Sequence, residues 1–465
     1  MANLLNDRQF WKNTMKLAIP VAVQNMLFSS FTLVDTIFVS SLGDVSLAAV
    51  GMSSQWGMLM NMVLFGICSG TGVFVSQYWG VKDTKSIHKT LGIAMTFAAL
   101  ISMVFFAFSF FTPQLVIGLF NKDSGVVSEG TNYLKIIAFV YPALAISDAM
   151  GVVLRSTERV RLPMVNSAIM TGVNIFLDYC MIFGKFGFKA MGIRGAALAT
   201  VISSWLGVVI IITVSVVQKN ILITKFRNVF AYAKSDLKVF FNKAFPVMLN
   251  ETLWGTGSFI FNLIWSNMGY EYYASITILK TFENIAFIFF VGFDSACSVM
   301  IGKSIGSGKI KQAVDDSKRF LIINPIISVI VGAVAIIFRS QIVSIFDMGD
   351  NISSLTIETA KMLIVIYALS SPVRMVGFSF IVGIFRAGGD TASAAKFDLG
   401  AMWLSSLPAT LIAAYVLKLP FLVCYAMMFI FEDSVKVLMC YPHYKKQKWI
   451  KPVTEEGKAG ISDMK

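Results

Sequence analysis

Long apolar runs broken by short polar stretches organise the whole chain. Runs long enough to cross a bilayer lie at roughly 17–41, 49–79, 91–112, 132–154, 164–184, 192–217, 240–266, 273–302, 320–338, 359–385, 397–417 and 419–441. A helical span needs about 20 apolar residues. The runs lack the period-two alternation of barrel strands, and lipid satisfies no free backbone groups, so the spans are helices. The pattern predicts an all-α integral membrane protein of about twelve transmembrane helices. Two boundaries are blurred. The run 49–79 is rich in Gly and Ser, and only Lys418-Leu419-Pro420 divides the last two.

Composition agrees. Hydrophobic residues make up 56% of the 465 and charged residues 14%, against about 25% charged in a soluble chain. The N-terminus has no signal-peptide cleavage pattern, so the first run is expected to be a retained span. The five cysteines are scattered in or beside apolar runs and read as small buried hydrophobes. The two histidines, His88 and His443, lie in basic polar stretches. No nucleophile with a base and no metal-ligand cluster stands out, so no catalytic residue, no structural metal and no cofactor is expected.

The net charge of +13 sits between the runs. With twelve spans, the two ends and every even-numbered loop share one side. That side carries about four times as many Lys and Arg as the other. Both termini are therefore expected in the cytoplasm of a multi-pass plasma (inner) membrane protein. The bias accounts for the charge without a nucleic-acid partner.

A repeat divides the chain. When the first half is laid on the second with Pro20-Val21 on Pro246-Val247, other positions fall into register without gaps. Leu27 meets Leu253, Ser40 meets Ser266, Gly43 meets Gly269, Ala48 meets Ala274, Gly66 meets Gly292 and Gly80 meets Gly306. Pro142 and Arg155 match Pro372 and Arg386 with a one-residue slip. The expected organisation is an N-terminal six-helix lobe (1–218), a cytoplasmic linker (219–243), a C-terminal six-helix lobe (244–442) and a polar cytoplasmic tail (443–465). An even number of spans per half gives the halves one orientation, a parallel repeat.

Ionisable groups inside spans are costly and point to function. The first half has Asp35, Asp148 and Asp178, with Asn174 one turn from Asp178. The second half has Glu251, Lys280, Glu283, Asp294 and Arg374. Lys280 and Glu283 are spaced to neutralise each other, and Asp294 and Arg374 could pair across helices. The repeat does not conserve these charges: Asp35 falls on Phe261, and Glu251 on Asn25. A desolvated carboxylate can exchange a proton, and Asp35, Asn174 and Asp178 also offer the hard oxygens that Na⁺ prefers. Pro142 and Pro372 are expected to bend their helices.

Several stretches resemble the multidrug and toxic compound extrusion (MATE) family: LVDTIFVSSLGDVSLAAVG (33–51), GVVLRSTERVRLPMV (151–165), NIFLDYCMIFG (174–184), MGIRGAALATVIS (191–203), GFDSACSVMIGKSIGSGK (292–309) and GIFRAGGDT (383–391). The resemblance implies a cation-coupling site in the first lobe at Asp35, Asn174 and Asp178, with Thr200 as fourth member. It implies a functional acid at Glu251. Lys280 and Glu283 resemble a basic-x-x-Glu pattern of the family. At span 10 the chain departs, with Met375 beside Arg374 where some members carry an acid. The implied function is secondary-active efflux of small organic, cationic or drug-like compounds by H⁺ or Na⁺ antiport with alternating access, carried out by a monomer. The alternative is a flippase for lipid-linked precursors, whose anionic headgroup would suit Lys280 and Arg374. The acidic first lobe opposes it.

Overall fold

The computed structural model describes residues 7–120, 122–346 and 353–463. Residues 1–6 of the expected first lobe and 464–465 of the expected tail lie outside them. The described residues are helical throughout, apart from connections and one isolated bridge between Gly389 and Ile450. The first half runs α1 (Arg8–Ser40), α2 (Asp44–Gly80), α3 (Thr84–Phe111), α4 (Ser124–Ile137 and Val140–Ser156), α5 (Arg161–Phe183) and α6 (Ile193–Val217). The second runs α7 (Lys234–Met268), α8 (Tyr270–Gly306), α9 (Ile310–Ile337), α10 (Ser354–Phe385) and α11 (Thr391–Val416). It closes with α12, made of Phe421–Phe429, Ile430–Ser434 and Val435–Lys445, and a short α13 (Glu455–Ser462).

Among the described residues, nine helices are long and apolar enough to span a bilayer, or ten with the bent pair of α4 taken as one. The other two of the expected twelve are α7 and α12. Polar residues interrupt them: Asn250, Glu251, Asn262 and Asn267 in α7, and Glu432, Asp433 and Lys436 in α12. The run 132–154 is two helices rather than one, meeting at 45°. Pro142 lies in the first turn of the second piece, where it has no N–H to carry the helical ladder back across the break.

The chain folds as two compact units, Val23–Met248 and the residues up to Ala22 together with those from Leu249 onward. These divisions lie inside α1 and α7, not at the expected lobe boundaries. The opening turns of α1 pack within the carboxy-terminal unit. There the Phe10 ring meets Phe320 edge-on at 5.2 Å, and Asp7 pairs with Arg319 at 3.1 Å. Conversely, Phe240 of α7 stacks on Phe74 of α2 at 5.8 Å in the amino-terminal unit. The end of the expected linker is therefore the start of α7. The lysines of 234–243 mark a polar stretch, but Phe240 and Ala244 between and beside them are fully buried.

The repeat is carried into the backbone. Asp44–Gly80 and Thr84–Phe111 recur as Tyr270–Gly306 and Ile310–Ile337, and every terminus keeps the displacement that sets Pro20 on Pro246. Gly43 and Gly269, matched in sequence, both precede their helices with positive φ (102° and 150°), a conformation open to glycine. Small residues let helices approach closely in both units. A Cβ on Gly70 of α2 would stand 2.6 Å from the Cβ of Ala244, and one on Gly292 of α8 would stand 2.7 Å from the Ala18 carbonyl oxygen.

The expected polar tail is packed. Trp449 is fully buried, and the Thr454 hydroxyl donates to the Gly306 carbonyl at 2.7 Å. Asp390, in the connection between α10 and α11, accepts from His443 and Lys451, each at 2.7 Å. A few apolar residues among many lysines were enough to dock it.

Candidate functional site

In the amino-terminal unit, α1, α4, α5 and α6 bring polar groups into an apolar surround. Asn174 and Asp178 lie one turn apart on α5 and are essentially inaccessible, at 1% and 0%. Asp35 is half-buried on α1, close enough to Asp178 for their charges to interact. Thr200 of α6 donates to the Ala196 carbonyl at 3.0 Å, so its oxygen is free to accept from the Asn174 amide at 3.4 Å. All four residues expected for this site are thus in one unit, held by neighbouring helices. The fully buried Val39, Leu134 and Ala197 belong to the apolar cluster around them.

The hydrogen-bond inventory of this cluster is lopsided. Asp35 Oδ1, Asn174 Oδ1 and both Asp178 oxygens are buried and have no partner among the described residues. All are acceptors. Buried acceptors without donors are unfavourable by roughly 1–3 kcal/mol each, and more when charged. An arrangement of this kind is relieved by a proton or a hard cation, the ligand its oxygens suit. Tyr133 was missed from sequence. It is buried on the first piece of α4 and senses the charges of both Asp35 and Asp178. Its single hydroxyl gave no signal among the chain's many aromatics.

The carboxy-terminal unit treats its acids differently. Glu251 of α7 pairs with Arg386 at 2.7 Å. Glu283 of α8 pairs with Arg374 of α10 at 3.4 Å, and the Lys280 ammonium donates to Asn262 at 2.6 Å. Lys280 and Glu283 still attract each other, as their spacing suggested, although each makes its hydrogen bond to a neighbouring helix, whereas Asp294 and Arg374 do not pair. Arg374 also lies over the ring of Phe429, 5.3 Å from its centroid. Asp294 instead accepts from the Asn324 amide at 3.1 Å.

Sequence reading overlooked a further cluster here. Lys436 of α12 bridges Asp398 of α11 at 2.7 Å and Glu432 at 3.2 Å, and the Asn250 amide donates to Asp398 at 3.0 Å. The signal was present: Phe431-Glu432-Asp433-Ser434-Val435-Lys436 interrupts an apolar run, with Glu432 and Lys436 one turn apart. Asp148 of the other unit is half-buried and attracted by Arg155 on its own helix.

Comparison with known proteins accords with this architecture. The MatE family model matches residues 20–180 and again 246–412, so its two matches begin at Pro20 and Pro246, the prolines that set the register of the repeat. The chain is 26% identical over 451 residues to the Probable multidrug resistance protein NorM of Thermotoga maritima, covering 95% of this chain and 93% of that one. It is 24% identical over 446 residues to the Probable multidrug resistance protein YoeA of Bacillus subtilis, covering 94% and 93%. Among solved structures, a MOP superfamily transporter from Pyrococcus furiosus superposes with a TM-score of 0.83 at 17% identity, covering 95% of this chain and 97% of that one. The Vibrio cholerae MATE transporter VcmN in its bent form superposes with a TM-score of 0.83 at 18% identity, covering 95% and 99%. Twice matched by one family model, over most of its length, this chain belongs to the MatE family and is a membrane transporter, not an enzyme.

Proposed function

We propose that the chain exports small organic compounds, cationic or drug-like, in exchange for an inward-moving cation that binds at Asp35 and Asp178. The observation that carries this reading is the set of unpartnered buried oxygens on Asp35, Asn174 and Asp178. All of them are acceptors, in an apolar surround, with no basic residue to neutralise the two carboxyls among the described residues. A proton or Na⁺ arriving there changes the charge of the site and so favours one helix packing over another. Its inward passage supplies about 2.3 kcal/mol per 100 mV, and a proton adds about 1.4 kcal/mol per unit of pH difference. The names of the relatives, multidrug resistance proteins, support the substrate class. The protein acts as a monomer in the plasma membrane with both termini cytoplasmic, as its loop charges favour.

The flippase reading needs free cations for an anionic headgroup. Arg374 and Arg386 are instead paired with carboxylates, and Lys280 is attracted to Glu283. The test is reconstitution into liposomes with a proton or a Na⁺ gradient imposed separately and a fluorescent organic cation as cargo. Gradient-driven transport by the wild type and its loss in Asp35→Asn are expected. Normal transport by that variant, or scrambling of labelled lipid with no transport of the cation, would overturn the reading.

A further inference from the structure

Asp294 stands apart among the intramembrane acids of the carboxy-terminal unit. It lies on α8 at 1% exposure, and no basic residue interacts with it among the described residues. Its neighbours are neutral. The fully buried Asn324 of α9 donates through one amide nitrogen to Asp294 Oδ1 at 3.1 Å and to the Ser379 hydroxyl of α10 at 2.6 Å. Asp294 Oδ2 and Asn324 Oδ1 remain buried without partners among the described residues.

The backbone makes room for this carboxyl. Ser379–Phe385 is a π-helical stretch within α10, a distortion often found at functional positions. Gly383 in that stretch faces Asp294: a Cβ there would stand 2.8 Å from Asp294 Oδ1 and 3.0 Å from the Cys297 sulfur. One turn along α9, Ser328 and Ser371 of α10 are hydrogen-bonded at 2.6 Å, which extends the polar contact between these two helices. Nothing of this kind is implied by the repeat, which places Cys68 opposite Asp294.

We infer that Asp294, framed by Asn324, Ser379 and the π-helical turn at Gly383, is a second proton-carrying site, located in the carboxy-terminal unit. An uncompensated carboxylate so deep in protein and lipid is costly, whereas a carboxylic acid is tolerated. A metal ion fits poorly, because an amide N–H is already directed at the same carboxyl, and of the side-chain oxygens of this pair only Asp294 Oδ2 and Asn324 Oδ1 lack partners among the described residues. The step is simple: Asp294 takes one proton from water on one side of the membrane, forming an O–H bond, and returns it to water on the other. The titratable group beside it is the Cys297 thiol on α8, which in turn lies near Asp316 of α9, paired with Arg319, and the Tyr444 hydroxyl of α12, bonded to Ser317.

This inference rests on the exchange reading above, and the experiment separates the two. The purified full chain is examined by infrared spectroscopy for protonated carboxyl C=O stretches across a pH series. Asp294→Asn, which is close to isosteric, should remove one such band. Ser379→Ala, which keeps the carboxyl, should shift it. In liposomes, Asp294→Asn should still exchange cargo but sustain a cargo gradient about tenfold smaller per unit of pH difference, the share of one proton. A band pattern unchanged in both variants, or an undiminished cargo gradient in Asp294→Asn, would overturn the second site. Loss of gradient-driven transport in Asp35→Asn bears on the first reading alone.

Discussion

Gly292 of α8 lies against Ala22 of α1, so closely that a Cβ on the glycine would stand 3.1 Å from that of Ala22. The repeat sets Gly66 on Gly292 and Ala22 on Met248, and the same contact reappears between Gly66 of α2 and Met248 of α7. Each unit thus holds the glycine of its own helix against a helix that continues beyond the unit. Gly66→Leu and Gly292→Leu should each destabilise the protein by about 1–3 kcal/mol through overpacking. Gly51→Ala, which faces open space, should not. Thermal melting of the detergent-purified variants by size-exclusion chromatography checks this.

Thr200 accepts from the Asn174 amide at 3.4 Å, and Asn174 Oδ1 has no partner among the described residues; on the proposed exchange reading, Thr200 positions Asn174 for the cation. Thr200→Val should weaken apparent cation affinity by about tenfold while leaving maximal transport near normal, as loss of a supporting partner does at metal sites. Transport measured against cation concentration would show the shift; an unchanged half-saturation value would refute the role.

Arg386 and Glu251 are both removed from water, with side chains 4% and 23% exposed. Arg386→Ala leaves Glu251 without its cation and should cost about 3–5 kcal/mol. Arg386→Met combined with Glu251→Leu removes both charges and should recover most of that loss. Melting temperatures of the single and double variants decide between a coupled pair and two independent residues.

The docked tail carries a pH dependence outside the membrane. Burial works against the charge of Asp390, but hydrogen bonds from Lys451 and His443 and the charge of Lys451 outweigh it and hold the carboxyl below the usual carboxylate range. A group so depressed stabilises docking fully above its unfolded value, about 3.9, and loses that contribution as pH falls through the depressed folded value. Docking should therefore be insensitive to this group at neutral and mildly acid pH. Asp390→Asn should loosen the tail at every pH where the wild-type carboxylate is charged, read as faster proteolytic cleavage after Lys446 or Lys448.

Spans, loop charges and the internal repeat were legible in the sequence because each is a one-dimensional property. Bilayer thickness sets run length, sidedness sets the lysines, and duplication keeps register, so the termini of α2 and α3 correspond residue for residue to those of α8 and α9. Asn174 and Asp178 were legible as a pair because helical period places them on one face. Partnerships between helices were not. Arg374 turned to Glu283, and Lys436 reached Asp398, because side chains far apart in sequence meet only once helices pack. The shift of α1 and α7 into the opposite units, the packing of Trp449 and the niche around Asp294 also depend on apolar surface buried in three dimensions. The sequence by itself determined which segments enter the membrane and how they repeat. Tertiary structure decided which buried charges are neutralised by neighbours and which, like Asp35, Asp178 and Asp294, have no basic partner among the described residues, because only helix packing brings a distant Lys or Arg within reach.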